Sequence, residues 1–143
     1  MTTTEQRATR APTSTRRLAA LRGNCMGAAV LLIIQFGLGT YVNLYVMLPS
    51  HKSFPATVFG PAALAAHAIV AVVLLAATIA ALVRAIRAGR AIVFTAAGFA
   101  AVAAAGIAGA SFAGSQGNAA SLAMALATAV AMFSYLAAVY SLR

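Results

Sequence analysis

His67 is the one side chain inside the long apolar stretches of this chain that could carry a proton on a ring nitrogen or give that nitrogen to a metal. It stands in FGPAALAAHAIVAVVLLAATIAALV, residues Phe59–Val83, a run otherwise free of ionisable groups. A titratable group in hydrocarbon is costly to keep, so such a residue is read first as functional. Two chemistries are open to it. As a neutral imidazole it can hydrogen-bond across two helices, to Asn43, a backbone carbonyl or water, and act as glue. It can also be an axial ligand to haem iron, for which His paired with Met is a known combination. Met124 is the best second ligand in the chain, although methionine in a membrane helix is more often a flexible gap-filler.

Spacing gathers further residues around it. Gln35, Gly39, Asn43 and Met47 recur every fourth residue and share one helix face. Met124, Thr128, Met132 and Tyr135 form a comparable stripe near the C-terminus. At a rise of about 1.5 Å per residue, His67 lies roughly 9 Å past Pro61, and Asn43 and Met124 fall at a similar level. The expected site is therefore His67, Met124, Asn43 and Gln35, with His67 and Met124 as the metal-ligating pair and haem b as the cofactor. Polar stripes of this kind should face the bundle interior.

The elements that would position these residues follow from composition. Of 143 residues, 63% are hydrophobic and 8% charged, against about 25% charged in a soluble domain. Four apolar spans are expected, at about 24–48, 61–83, 91–113 and 119–141, each long enough to cross a bilayer. Residues 1–22 read as a disordered, basic cytoplasmic tail and 23–143 as the four-span unit. Pro49 and the polar run Ser50–Ser53 should end the first span. Pro61 should open the second, and Asn118 should cap the fourth. Arg84, Arg87 and Arg90 read as a short basic turn.

Nine arginines (7, 10, 16, 17, 22, 84, 87, 90 and 143) fall on one side of the spans and Lys52 alone on the other. Positive charge stays inside, which puts both termini in the cytoplasm. Short loops make successive spans antiparallel neighbours. The fold class is thus all-α: an integral up-down four-helix bundle, multi-pass in the cell membrane. The pair Arg16-Arg17 is read as topogenic, with no cleavage expected. Ala101, Ala105, Gly109 and Ala113 in the third span form a small-residue stripe for docking on a partner or a second copy.

The net charge of +9 does not mark a nucleic-acid binder, because the cations flank apolar runs. Proton relays through carboxylates are excluded, since no acid follows Glu5. Asp is absent, so no Ser/His/Asp set exists, and no phosphate-cradling glycine loop appears. Enzymatic activity is the less favoured expectation. Cys25 stands alone and reads as a small buried side chain. His51 reads as a solvated loop residue.

QFGLGTYVNL, Gln35–Leu44, resembles the Q-x-x-L-G-x-x-V pattern that opens the four-helix halves of the haem A synthase family. His67 with Ala71 is similar to that family's axial histidine followed by alanine. In SLAMALAT, Met124 stands where the family has its second histidine. Ala63 occupies the place of the glutamate found in the family's catalytic-type half, and there is one half rather than two. The resemblance therefore implies at most haem b for electron transfer or haem handling, with propionates near His51 and Lys52. Against it stands a non-catalytic accessory or structural subunit of a membrane complex, whose partners are the bilayer and another membrane protein or copy.

Overall fold

A computed structural model describes residues 13–46, 54–115 and 117–143. These residues form helices α1 (Thr13–Tyr45), α2 (Phe54–Phe59), α3 (Ala62–Ala88), α4 (Ile92–Ser115) and α5 (Asn118–Ser141). Four of them, all but α2, are long and apolar enough to cross a membrane. The all-helical architecture anticipated from hydropathy is present. The four long helices form a ring in which α1 packs on α3, α3 on α4, α4 on α5, and α5 back on α1. Alanine dominates them, and it has the highest helix propensity of any residue.

Several boundaries differ from expectation. Residues 13–22, expected in the tail, are the first turns of α1. Between Thr13 and Arg22 nothing breaks a helix, and the stripe Leu21, Cys25, Ala28 and Leu32 is fully or almost fully buried. That apolar stripe carries the helix outward until it is exhausted. At 33 residues, α1 is about 50 Å long, well beyond the ~30 Å of a hydrocarbon core. Likewise α3 continues through Arg84 and Arg87 to Ala88, so the turn is Gly89–Ala91 rather than the basic stretch expected. Gly89, at φ 63°, supplies the left-handed stop. Its N–H reaches Ile86 O and the Arg90 N–H reaches Ala85 O, both at 3.2 Å.

Between α1 and α3, α2 is a helix that hydropathy did not reveal. It packs against α3 and α4 and buries Val58. Pro55 near its start is tolerated there, because first-turn N–H groups have no intrahelical partner. Asn118 does not cap α5. Gly117 holds the cap position in extended conformation and Asn118 lies inside the helix. Met47, Pro49, His51 and Lys52 lie outside the described residues, as do Arg7 and Arg10.

Packing is uneven along the bundle. The core joins Leu21, Cys25, Leu32, Ala81, Ala85, Tyr135, Ala138 and Val139, near the end that carries the arginines. On α4 the buried residues stop at Val102, and on α5 they begin at Thr128. Residues 103–115 and 118–127 hold no buried side chain.

Candidate functional site

Gln35 sits on the face of α1 turned toward α3 and is 9% exposed. Its Nε2 lies 3.2 Å from His67 Nε2 and donates to the His67 backbone carbonyl at 3.1 Å. A carbonyl can only accept, so the amide nitrogen is the group facing His67. That nitrogen is itself a donor, so His67 Nε2 must be the accepting atom. The imidazole is therefore neutral and carries its proton on Nδ1. One amide clamps α1 to α3 through both the side chain and the backbone of the same residue.

Gly39, one turn along α1, makes room for the ring. A Cβ at that position would stand 3.0 Å from His67 Cε1 and 3.6 Å from Nδ1. An alanine there would require the ring to give way by a few tenths of an ångström. His67 Nδ1 and Gln35 Oε1 are both buried without a hydrogen-bond partner among the described residues. The sequence put Gln35 in the right stripe, but Asn43 is not the partner of His67.

Asn43 is exposed, and its Oδ1 lies 3.4 Å from the Ser121 hydroxyl on α5. Met124, three residues further along α5, is turned to α4: its sulfur is 3.4 Å from where a Gly109 Cβ would be. His67 thus packs on α1 and Met124 on α4. Of the second stripe, Thr128 and Tyr135 are buried as expected. Met132 lines an apolar recess of about 160 Å³ with Phe36, Ala129, Phe133 and Leu136. Among the described residues no group of three or more His, Cys, Asp or Glu could hold a metal ion.

Two positions carry more than the sequence reading assigned them. Tyr135 is fully buried and its ring lies on Gly98 of α4, where a Cβ would stand 2.6 Å from Cε2. The Tyr135 hydroxyl lies beside the Thr78 side chain without a hydrogen bond of good geometry among the described residues. Asn24, near the arginine end of α1, donates through Nδ2 to Ala77 O at 2.9 Å and accepts from Arg84 Nη1 at 3.0 Å. The signal for Asn24 was available: it lies three helical turns before Gln35, so both amides face α3.

Of the expected small-residue stripe on α4, Ala101 is buried and Gly109 receives Met124 of α5, so at these positions the same chain covers it. A different row on α4 is open: Ala97, Ala100, Ala104, Ile107, Ser111 and Gly114 are all exposed. Their alternating spacing of three and four residues is that of a helix-packing seam. No family model, curated protein or solved structure matches this chain, so its function is argued from this geometry.

Proposed function

We propose that this chain is a multi-pass protein of the cell membrane, with both termini cytoplasmic, that serves as a non-catalytic accessory or structural subunit of a membrane complex. The observation that carries this reading is the Gln35–His67 clamp. The imidazole in the apolar spans has its Nε2 engaged by an amide and its ring edge against the α1 backbone. Haem ligation through Nε2 would need Gln35 withdrawn and an open face beside the ring. The proposed second ligand, Met124, is directed at α4 instead. These side chains do not fit a haem b site, and a helix-tying role accounts for both bonds.

Docking is assigned to the open row on α4. Small side chains let a second helix approach closely, which is how membrane helices associate without a hydrophobic driving force. The proposed partner, a membrane protein or a second copy, lays a helix along Ala100, Ala104 and Ser111. Arginines at one end support the assigned orientation by the positive-inside rule.

The test is spectroscopic and then chemical. Protein purified in detergent and supplemented with haem should show no α band in a reduced-minus-oxidised spectrum. A band that vanishes in His67→Ala would overturn the reading. Ala104→Phe should release whatever co-purifies with the wild type or dissociate its oligomer, while leaving helix content unchanged. An unaltered assembly would remove α4 as the docking face.

A further inference from the structure

Membrane topology requires arginines near helix ends, but it does not require any of them to be held in place. Arg84 is held. Its Nη1 donates to Asn24 Oδ1, and the same amide is fixed from its other side by the Ala77 carbonyl. A guanidinium has five N–H donors, and this contact uses one of them on a neutral acceptor. The positive charge is left whole. Glu5 is the sole acid in the chain and none lies among the described residues.

Two more arginines flank this fixed one. Arg17 is two turns before Asn24 on the same face of α1, about 10 Å further out. Arg87 is one turn beyond Arg84 on α3, about 4.5 Å out. The two helices run antiparallel, so both steps lead away from the bundle. Arg17, Arg84 and Arg87 are all exposed and border the α1–α3 seam. Its floor is apolar, with Leu21 and Ala85 fully buried. Beside it, Val83 lies one turn before Arg87 on the same face of α3 and is exposed and apolar.

We propose that this seam, built on Arg17, Arg84 and Arg87 around Asn24, binds the phosphodiester headgroup of an anionic phospholipid. Arginine's planar fork matches paired phosphate oxygens, and a phosphodiester supplies the missing counter-charge. Exposed Val83 beside Arg87, on helices apolar enough to cross a membrane, favours a headgroup carrying acyl chains over a free phosphate ion. The inference rests on the chain being a membrane protein. Co-flotation of the wild type with neutral phosphatidylcholine vesicles tests that premise by itself.

The site is tested by native mass spectrometry of the full chain in detergent, titrated with phosphatidylglycerol, phosphatidylcholine or inorganic phosphate. Phosphatidylglycerol should be retained one to one, and Arg84→Gln should weaken it about fivefold. Asn24→Ala, which changes no charge, should weaken it by a smaller factor. Arg143→Gln, at the end of α5, should leave it unchanged. Circular dichroism checks folding, and Arg87→Gln replaces Arg84→Gln if the latter does not fold. Equal retention of the two lipids would overturn the proposal. So would an Arg143→Gln loss matching that of Arg84→Gln, which would mean diffuse charge. Displacement of the lipid by equimolar inorganic phosphate would also overturn it, by making the occupant a free anion.

Discussion

Replacing Gln35 by leucine removes two hydrogen bonds at once, whereas replacing His67 by leucine removes one. The difference comes from the geometry of the clamp. Gln35 Nε2 donates both to the imidazole and to the backbone carbonyl of residue 67. That carbonyl survives any substitution at 67. Interhelical hydrogen bonds within a membrane average about 0.6 kcal/mol and reach about 1.7. Gln35→Leu should therefore cost roughly 1–2 kcal/mol, and His67→Leu roughly half that. In the double variant the histidine bond cannot be lost twice. Its cost should be close to that of Gln35→Leu alone, which makes the coupling energy about equal to the His67→Leu cost. Unfolding by sodium dodecyl sulfate in mixed micelles, followed by helical circular dichroism, measures all four corners of the cycle. Additivity within about 0.3 kcal/mol would refute the clamp. So would a His67→Leu variant less stable than Gln35→Leu, which would mean that the imidazole has a partner other than Gln35.

Gly98→Ala should destabilise by about 1–3 kcal/mol, because its methyl would meet the fully buried Tyr135 ring at 2.6 Å. Gly106→Ala on the same helix meets nothing within 4 Å and should be neutral or slightly stabilising in the same melt. Equal effects at the two positions would show that α4 and α5 are not in close contact at Gly98. Tyr135→Phe removes a buried hydroxyl without a hydrogen bond of good geometry among the described residues, so it should be neutral or stabilising by up to about 1 kcal/mol. A loss above about 1.5 kcal/mol would show that the hydroxyl is hydrogen-bonded in the folded protein.

Which stretches become long helices could be read from hydropathy, because runs such as Phe59–Val83 have no other stable form in an apolar solvent. Where the helices end was less legible. Arg16 and Arg17 look like tail residues by charge, yet arginine is a good helix former. Leu21 docks in the core just beyond them. Helix rotation was the least legible feature. When a span is apolar on all sides, its sequence does not say which side meets a neighbour. Gln35 was placed in the right stripe, but the level estimate favoured Asn43 as partner for His67. The end of α1 at Tyr45 rather than Leu48 accounts for about 4.5 Å of the roughly 12 Å between Asn43 and Gln35, and the rest is the offset between the two helices. Met124 illustrates the same limit, since its depth was estimated without the direction in which its side chain points.

The polar clamps are not spread evenly, and their distribution follows from the packing. Near the arginine end, α4 and α5 are joined by a tyrosine ring seated on a glycine, and Leu21, Leu32 and Leu74 pack among alanines in the core. Toward the other end, residues 103–115 and 118–127 offer mainly alanine and glycine, and their side chains are at most partly buried. Apolar side chains gain little by leaving lipid for one another, so where close packing is thin, something else must hold the helices in register. The Gln35–His67 pair ties α1 to α3 beyond the end of the core, and Asn43 meets Ser121 between α1 and α5 further along still. With the proposed membrane insertion, the cost of placing an imidazole in hydrocarbon is offset by helix registry. The residue that most resembled a cofactor ligand stands past the end of the main core, at a level where α4 and α5 bury no side chain fully.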